Sequence, residues 1–214
     1  MKLDWSKMSE FSNYPEIEQE NILFASIKTA TERRAKFTAM LPPEMTQRED
    51  SIAKKMALEN SSNKSKLHKI YLLADEITQV AKPFIACGNG CANCCKMNVM
   101  ISTVEAERIG NAIGSNPAKI TASRRHDQSR FLGVSCTFLK NDSCSIYSDR
   151  PLVCRTHVAF DDSAYWCDPS RSTVKGMPMI TFGGLQSALH EITAVSNKNV
   201  YADIRDFFPA SNAP

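Results

Sequence analysis

The sequence lacks any apolar run of the roughly 18 to 20 residues that a membrane-spanning helix requires, so we expect no membrane contact. Residues 1–16 carry charged side chains but no apolar segment typical of a secretory signal. We therefore expect a cytoplasmic protein. Thiols stay reduced in that compartment, where clustered cysteines more often bind metal than form disulfides.

Charge of one sign is not concentrated in any region of the 214-residue chain. Residues 1–84 contain 13 basic and 12 acidic side chains, and the remainder contains 13 and 11, for a net charge of +3. A nucleic-acid-binding protein usually carries a basic arm or patch, so we do not expect nucleic acid as a partner.

Cysteine is absent from the first 86 residues, and all eight cysteines lie between Cys87 and Cys167. This clustering divides the chain into three regions. We predict a helical N-terminal region over residues 1–84 and a cysteine-cluster, metal-binding core over residues 85–170. Residues 171–214 are expected to form a C-terminal helix and tail that pack on the core.

Apolar periodicity predicts three helices before the cysteines. The first opens at Pro15 and continues to about Met40, the second covers residues 44–59, and the third ends before Pro83. The first helix has a rough apolar stripe, made of Ile17, Phe24, Ile27, Ala30, Phe37 and Leu41. The third has the clearest one, made of Leu67, Ile70, Tyr71, Ala74, Ile77 and Ala81. We interpret these stripes as internal packing faces, the alternative being a groove for a partner helix.

The second half mixes short helices with one hairpin. Ser102 and Glu105 form a capping-box pattern, and Gly114 is a natural helix stop. Further helices are predicted from Asn116-Pro117, after Pro151 and after Gly183-Gly184, while "VSCTFL" and "CSIY" form a hairpin around "KNDS". We expect the Phe207-Phe208 pair to pack back on the domain. The predicted fold class is mostly α, with a small β-hairpin element and an irregular cysteine-rich metal-binding core.

The loop "CGNGCANCC" has the composition of a thiolate cage. Thiolates are soft ligands that suit zinc and iron–sulfur clusters. Gly88 and Gly90 permit tight turns in which amide N–H groups point at the sulfur atoms. The candidate metal ligands are therefore all eight cysteines, namely Cys87, Cys91, Cys94, Cys95, Cys136, Cys144, Cys154 and Cys167.

Spacing alone leaves the type of centre open. Cys91-x2-Cys94 fits a zinc knuckle, but no second close pair follows, which slightly favours iron or an iron–sulfur cluster over zinc. Neighbouring Cys94 and Cys95 point opposite ways in an extended chain, so they serve either two metals or two sides of one cluster. Eight thiolates make two four-cysteine sites or one polynuclear site. The Cys87-x3-Cys91-x2-Cys94 spacing also occurs in radical S-adenosylmethionine enzymes, but no run of βα units follows it here.

A longer pattern combines this loop with "CTFLKNDSCSIYSDRPLVCR" from Cys136 to Arg155. The combination resembles the zinc- or iron-chelating cysteine-cluster family, the YkgJ-like proteins of CxxCxxCC type, and is distantly similar to the flagellin lysine methylases. It departs from the family pattern in one spacing, since three residues instead of two separate Cys87 from Cys91.

The resemblance implies chelation of zinc or iron, without an established reaction for most members. Our first hypothesis is an iron or iron–sulfur centre that serves redox chemistry or modification of a protein substrate. The alternative is a structural zinc module that mediates protein–protein interaction without catalysis. Arg150 and Arg155 either bind an anionic cofactor or substrate beside the thiolates or form salt bridges, with Asp149 and Glu105 as candidate partners. We expect Asp161-Asp162 to lie in an exposed loop.

Overall fold

The computed structural model describes residues 11–88, 90–173, 176–194 and 199–209. The helices are α1 (Glu16–Met40), α2 (Pro43–Leu58), α3 (Asn63–Ala81), α4 (Thr103–Ile113), α5 (Leu152–Thr156), α6 (Gly183–Ala194) and α7 (Ile204–Phe207). The strands are β1 (Met100–Ser102), β2 (Leu139–Lys140), β3 (Ser143–Cys144) and β4 (Tyr201–Asp203). The predicted class, mostly α with a small hairpin, is confirmed. No helix in the described ranges is long and apolar enough to cross a membrane.

The N-terminal helices have the predicted bounds, but only α3 buries the predicted face. Every member of the α3 stripe is buried, whereas on α1 Ile17 is 75% exposed and Phe24 is 71% exposed. The buried face of α1 instead contains Ile22, Ala30 and Phe37. Successive residues rotate by about 100° around a helix, so Ile22 and Phe24 face nearly opposite directions. The stripe prediction was wrong at Ile17 and Phe24 because α1 has apolar residues on both faces.

The first core is the hydrophobic cluster in which α2, α3 and α6 pack together. Within it, helices α2 and α6 cross at very short range. A Cβ on Gly184 would overlap the backbone carbonyl oxygen of Glu49, so only glycine fits this crossing. The Glu49 side chain also accepts a hydrogen bond from the Leu185 N–H at 3.0 Å. The two helices are therefore joined by backbone contact and by one carboxylate near the first turn of α6.

Replacing Gly184 with alanine should lower the free energy of unfolding by about 1–3 kcal/mol, because the two backbones must separate to admit a methyl group. Urea denaturation measures the change. Gly183→Ala is the matched control, since a Cβ there meets no atom within 4 Å. Equal stability of the two variants would contradict the close crossing.

A second core surrounds the small sheet that β1 and β4 form. The strands pair antiparallel, with Ile101 opposite Ala202, and both side chains are fully buried. Phe207 and Phe208 pack in the same cluster, as expected from the sequence. Cys136, Cys144 and Cys154 lie against this cluster, so the C-terminal tail helps to position the cysteines.

The segment after α4 is not helical, which contradicts the helix predicted from Asn116-Pro117. Its amides bond to the tail instead. The Ala118 N–H donates to the Phe207 carbonyl at 2.8 Å, and the Arg124 N–H donates to the Tyr201 carbonyl at 2.9 Å. These long-range bonds replace the local hydrogen bonds of a helix.

Strands β2 and β3 form the predicted hairpin, although each has only two residues. Asn141 and Asp142 both adopt positive φ, at 49° and 54°, as a two-residue hairpin turn requires. Leu139 is paired with Cys144. The turn therefore places Cys144 back beside the residues that follow Cys136.

Candidate metal centre

The loop from Cys87 to Cys95 is attached to two later segments of the chain. The Asn93 side-chain amide donates to the Ala164 carbonyl at 3.1 Å, and the Cys136 N–H donates to the Cys95 carbonyl at 2.7 Å. The first bond holds the loop near Cys167, and the second holds it near the hairpin.

Four thiols form a group that we call the hairpin set, namely Cys95, Cys136, Cys144 and Cys154. Burial, together with the charges of Cys95 and Cys144, raises the pKa of Cys136 to about 11. Burial also raises the pKa of Cys154 well above its ordinary value, with added repulsion from the other three members. These charge interactions place the four thiols in the same part of the fold.

The remaining thiols form the loop set, which contains Cys87, Cys91, Cys94 and Cys167. Burial raises the pKa of Cys167 to about 12, followed by repulsion from Cys87 and Cys91. The hydrogen bond to Cys95 and burial raise the pKa of Cys94 most, and the charges of Cys95, Cys154 and Cys87 follow in that order. Cys94 therefore interacts with both sets, and we count it with the loop set because its neighbour Cys95 completes the hairpin set.

The thiols of Cys94 and Cys95 interact directly at this border. A hydrogen bond from Cys94 lowers the pKa of Cys95 to about 7, and the nearby cations of Arg205 and Lys96 act in the same direction. Because the proton stays on Cys94, the pKa of Cys94 rises. Cys95 is thus the most readily ionised thiol of this pair.

Backbone amides stabilise three of the thiolates. The N–H groups of Phe138 and Ile146 lower the pKa of Cys136 and Cys144, which burial otherwise raises. The Ala159 N–H donates to the Cys87 sulfur at 3.3 Å. Amide donation to thiolates was expected from the glycine loop, but these donors lie on the hairpin and after α5.

In the described residues, the sulfur atoms are not arranged around a common point at which a metal ion could bind. Within the described residues, no three histidine, cysteine, aspartate or glutamate side chains are arranged to hold one ion. All eight cysteines belong to the described part of the chain, and all are free thiols. The donor type and the grouping fit a thiolate-bound metal, and ligation requires the side chains to turn towards a common point.

The two candidate arginines beside Cys154 bind Asp75 of α3. Arg155 is only 3% exposed in its side chain, and it pairs with Asp75 and donates to the Ser148 carbonyl. Arg150 reaches the other oxygen of Asp75 at 3.4 Å, and its charge opposes the burial that raises the pKa of Cys144. The salt bridges considered from the sequence exist, but their partner is Asp75 instead of Asp149 or Glu105.

Glu105 connects three elements around the hairpin set. One carboxylate oxygen accepts hydrogen bonds from the Tyr71 hydroxyl at 3.0 Å and the Leu152 N–H at 2.8 Å. The other accepts from the N–H and hydroxyl of Ser102 at 2.9 and 3.0 Å. The predicted capping box is confirmed. Because Leu152 begins α5, the same carboxylate also fixes the helix that carries Cys154.

Arg205 is a positioning residue that the sequence analysis did not identify. Its guanidinium donates to the carbonyls of Cys95 at 3.1 Å, Met97 at 3.2 Å and Val134 at 2.7 Å. Asp203 pairs with it at 2.9 Å. The tail thus ties the cysteine loop to the segment before Cys136, a link between distant positions that no local sequence signal reveals.

A cavity of about 610 Å³ borders the loop set at Cys167. His157 and Asp161 line it, and burial lowers the pKa of His157. Asp161 is only 2% exposed, which contradicts the exposed loop predicted for it, while Asp162 is exposed. Burial raises the pKa of Asp161 to about 7. The chain turns inward here because Phe160 enters the first core.

The comparisons with known proteins agree with the sequence motifs. The model of the CxxCxxCC family, described as "Putative zinc- or iron-chelating domain", matches residues 86–170. The match covers less than half of the chain, and it contains all eight cysteines. The resemblance to the zinc- or iron-chelating cysteine-cluster family is thereby confirmed for this segment, and metal binding is the function it supports. No curated protein and no solved structure matched the chain.

Proposed function

We propose that residues 87–167 bind metal at two neighbouring four-thiolate sites, one made by the hairpin set and one by the loop set. The supporting observation is that Cys136 and Cys154 interact with hairpin-set thiols and Cys167 with loop-set thiols, while Cys94 interacts with both sets and joins them. Each group joins cysteines from distant parts of the chain. Metal binding would therefore cross-link segments that have little regular secondary structure of their own.

Iron, held as an iron–sulfur cluster, is the metal we favour, and zinc is the alternative. Four thiolates suit both, so the donor set alone does not choose. Cys167 lies on the wall of the cavity, so a small molecule can approach the loop set. A cluster there would supply one-electron redox chemistry, and modification of a protein substrate is a second use of such a centre.

The second candidate function is a structural zinc module that binds a partner protein in the cytoplasm. Two observations favour it. Three of the four hairpin-set thiols, those of Cys136, Cys144 and Cys154, pack against a hydrophobic cluster, as closed structural sites do. The apolar side chains of Ile17 and Phe24 on α1 are exposed and would suit contact with a partner.

Elemental analysis of anaerobically purified protein, combined with its visible spectrum, separates the two functions. The iron–sulfur proposal requires brown protein whose visible absorption is bleached by a reductant. Colourless protein that contains stoichiometric zinc under the same anaerobic conditions would rule out iron and support the structural module.

Cysteine replacement tests the division into two sites. Cys136→Ser and Cys167→Ser should each remove about half of the bound metal, and the double variant nearly all of it. Ser143→Ala, an exposed change beside Cys144, is the control and should keep the full content. Complete loss in both single variants would indicate one polynuclear centre instead. Full content in both would show that these cysteines are not ligands.

A further inference from the structure

The cavity beside the loop set is lined mainly by apolar side chains. Its wall includes Leu132, Phe160, Trp166, Met177 and Met179. Organic ligands commonly bind in cavities of roughly 300–1,000 Å³ with apolar walls and a few polar groups, and this cavity of about 610 Å³ has that size and character.

One acidic side chain in this wall has an unused acceptor. Asp161 accepts a hydrogen bond from the Asp162 N–H at 2.8 Å through Oδ1, whereas its buried Oδ2 has no partner among the described residues. The nearby cation, Arg33, donates to the carbonyls of Phe84 and Pro83 instead. A carboxylate oxygen buried without a donor is unfavourable, so a donor supplied by a ligand would be bound there.

Within the described residues the cavity wall contains no lysine or arginine, and burial lowers the pKa of its histidine, His157, which favours the uncharged imidazole. Asn98 uses both ends of its amide, since it donates to the Asp127 carbonyl and accepts from the Phe131 N–H. The wall also includes the thiol of Cys167. An anionic ligand would therefore meet a carboxylate and a thiol without a cation whose donors are available.

We propose that this cavity binds an organic amine, with the protonated nitrogen at Asp161 Oδ2 and the hydrocarbon body between Trp166 and the neighbouring methionines. The charge of the carboxylate selects a cation, and the apolar wall selects a hydrophobic body. Amine binding at Asp161 does not depend on the metal sites proposed above, although Cys167 lies on the same cavity wall. Its test measures ligand binding instead of metal content.

Three probes of equal chain length test the proposal on the metal-loaded protein. The chain has two tryptophans, so Trp5→Phe leaves Trp166, which lines the cavity, as the single tryptophan for selective excitation. At about pH 8.5, above the pKa of about 7 for Asp161, titration with n-hexylamine should change Trp166 emission saturably. 1-Hexanol should bind at least about tenfold more weakly than hexylamine, and hexanoate should not bind.

Two variants assign the binding to this cavity. Asp161→Asn should weaken hexylamine binding about tenfold or more and leave hexanol binding unchanged. Gly176→Leu should abolish both, because a Cβ at Gly176, on the cavity wall, meets no atom within 4 Å and its side chain can occupy the space. Asp127→Asn, which removes an exposed carboxylate beside the cavity residue Gln128, is the matched control and should bind like the parent.

Thermal melting of each variant establishes that it is folded, and Gly176→Leu provides a second test if Asp161→Asn fails to fold. Equal affinity for hexylamine and hexanol, or hexylamine binding that survives Gly176→Leu, would overturn the proposal. Absence of any saturable change with hexylamine would also overturn it, since water would then satisfy Asp161.

Discussion

Glu105→Ala should lower the free energy of unfolding by about 4 kcal/mol or more, the range reached when a buried hydrogen-bond network is broken. The Glu105 carboxylate accepts four hydrogen bonds and is 1% exposed. Alanine would leave the Tyr71 hydroxyl and the N–H groups of Ser102 and Leu152 buried without acceptors, each at a cost of roughly 1–3 kcal/mol. The variant also leaves a void between α3, α4 and α5.

Urea denaturation at a fixed metal concentration measures this effect. Asn111→Ala, an exposed change on the same helix, is the control and should stay within about 0.5 kcal/mol of the parent. Glu105→Gln should fall between the two, because an amide keeps one acceptor but places a donor opposite other donors. A loss below about 1 kcal/mol for Glu105→Ala would show that the network contributes little to stability.

The features that local sequence determines were predicted well. The face of α3 follows from apolar residues three and four apart, and all its predicted members are buried. The cap at Ser102 and the left-handed stop at Gly114 need only a few adjacent residues. The hairpin likewise follows from two short apolar runs around Asn141-Asp142. In each case the interacting groups are close along the chain, so their pattern is visible in the sequence.

Contacts between distant segments were not predictable in this way. Nothing near β1 indicates that its partner is β4, about a hundred residues later. The same pairing explains why residues after Asn116 are extended, since their amides meet the tail. Arg205 and Asp75 act on the cysteine region only through such long-range contacts. A single sequence gives no signal for them.

The metal site was only partly predictable from the sequence. Their number and spacing indicate a thiolate centre, and the family match supports this for residues 86–170. Their division into the hairpin set and the loop set depends on tertiary contacts such as the Asn93–Ala164 and Cys95–Cys136 bonds. The sequence left two sites or one polynuclear site open, and the grouping of thiols is the new argument for two.

Removal of the metal should unfold the cysteine region while the first core remains folded. Without metal, the loop and hairpin are held by a small number of hydrogen bonds, such as those of Asn93 and Arg205, and the eight thiols are only partly buried. Structural zinc sites contribute roughly 10–16 kcal/mol to folding in small metal-binding domains. This contribution is as large as the total stability of an ordinary domain, which is roughly 5–15 kcal/mol. By contrast, α2, α3 and α6 pack together through their own apolar faces. Hydrogen exchange after chelation should therefore show lost protection in the cysteine loop, residues 87–96, and in the hairpin, residues 136–147, with retained protection in these helices.

The Cys136→Ser/Cys167→Ser double variant is the matched control for chelation. Because it lacks one ligand in each set, it should bind little metal and show low protection over residues 87–96 and 136–147 before any chelator is added. The chelator should then change its exchange pattern little, whereas re-addition of the native metal should restore protection only in the parent protein. Unchanged protection in the metal-stripped parent would mean that hydrogen bonds and packing, including the Arg205 and Glu105 contacts, are sufficient to hold the cysteine region without metal.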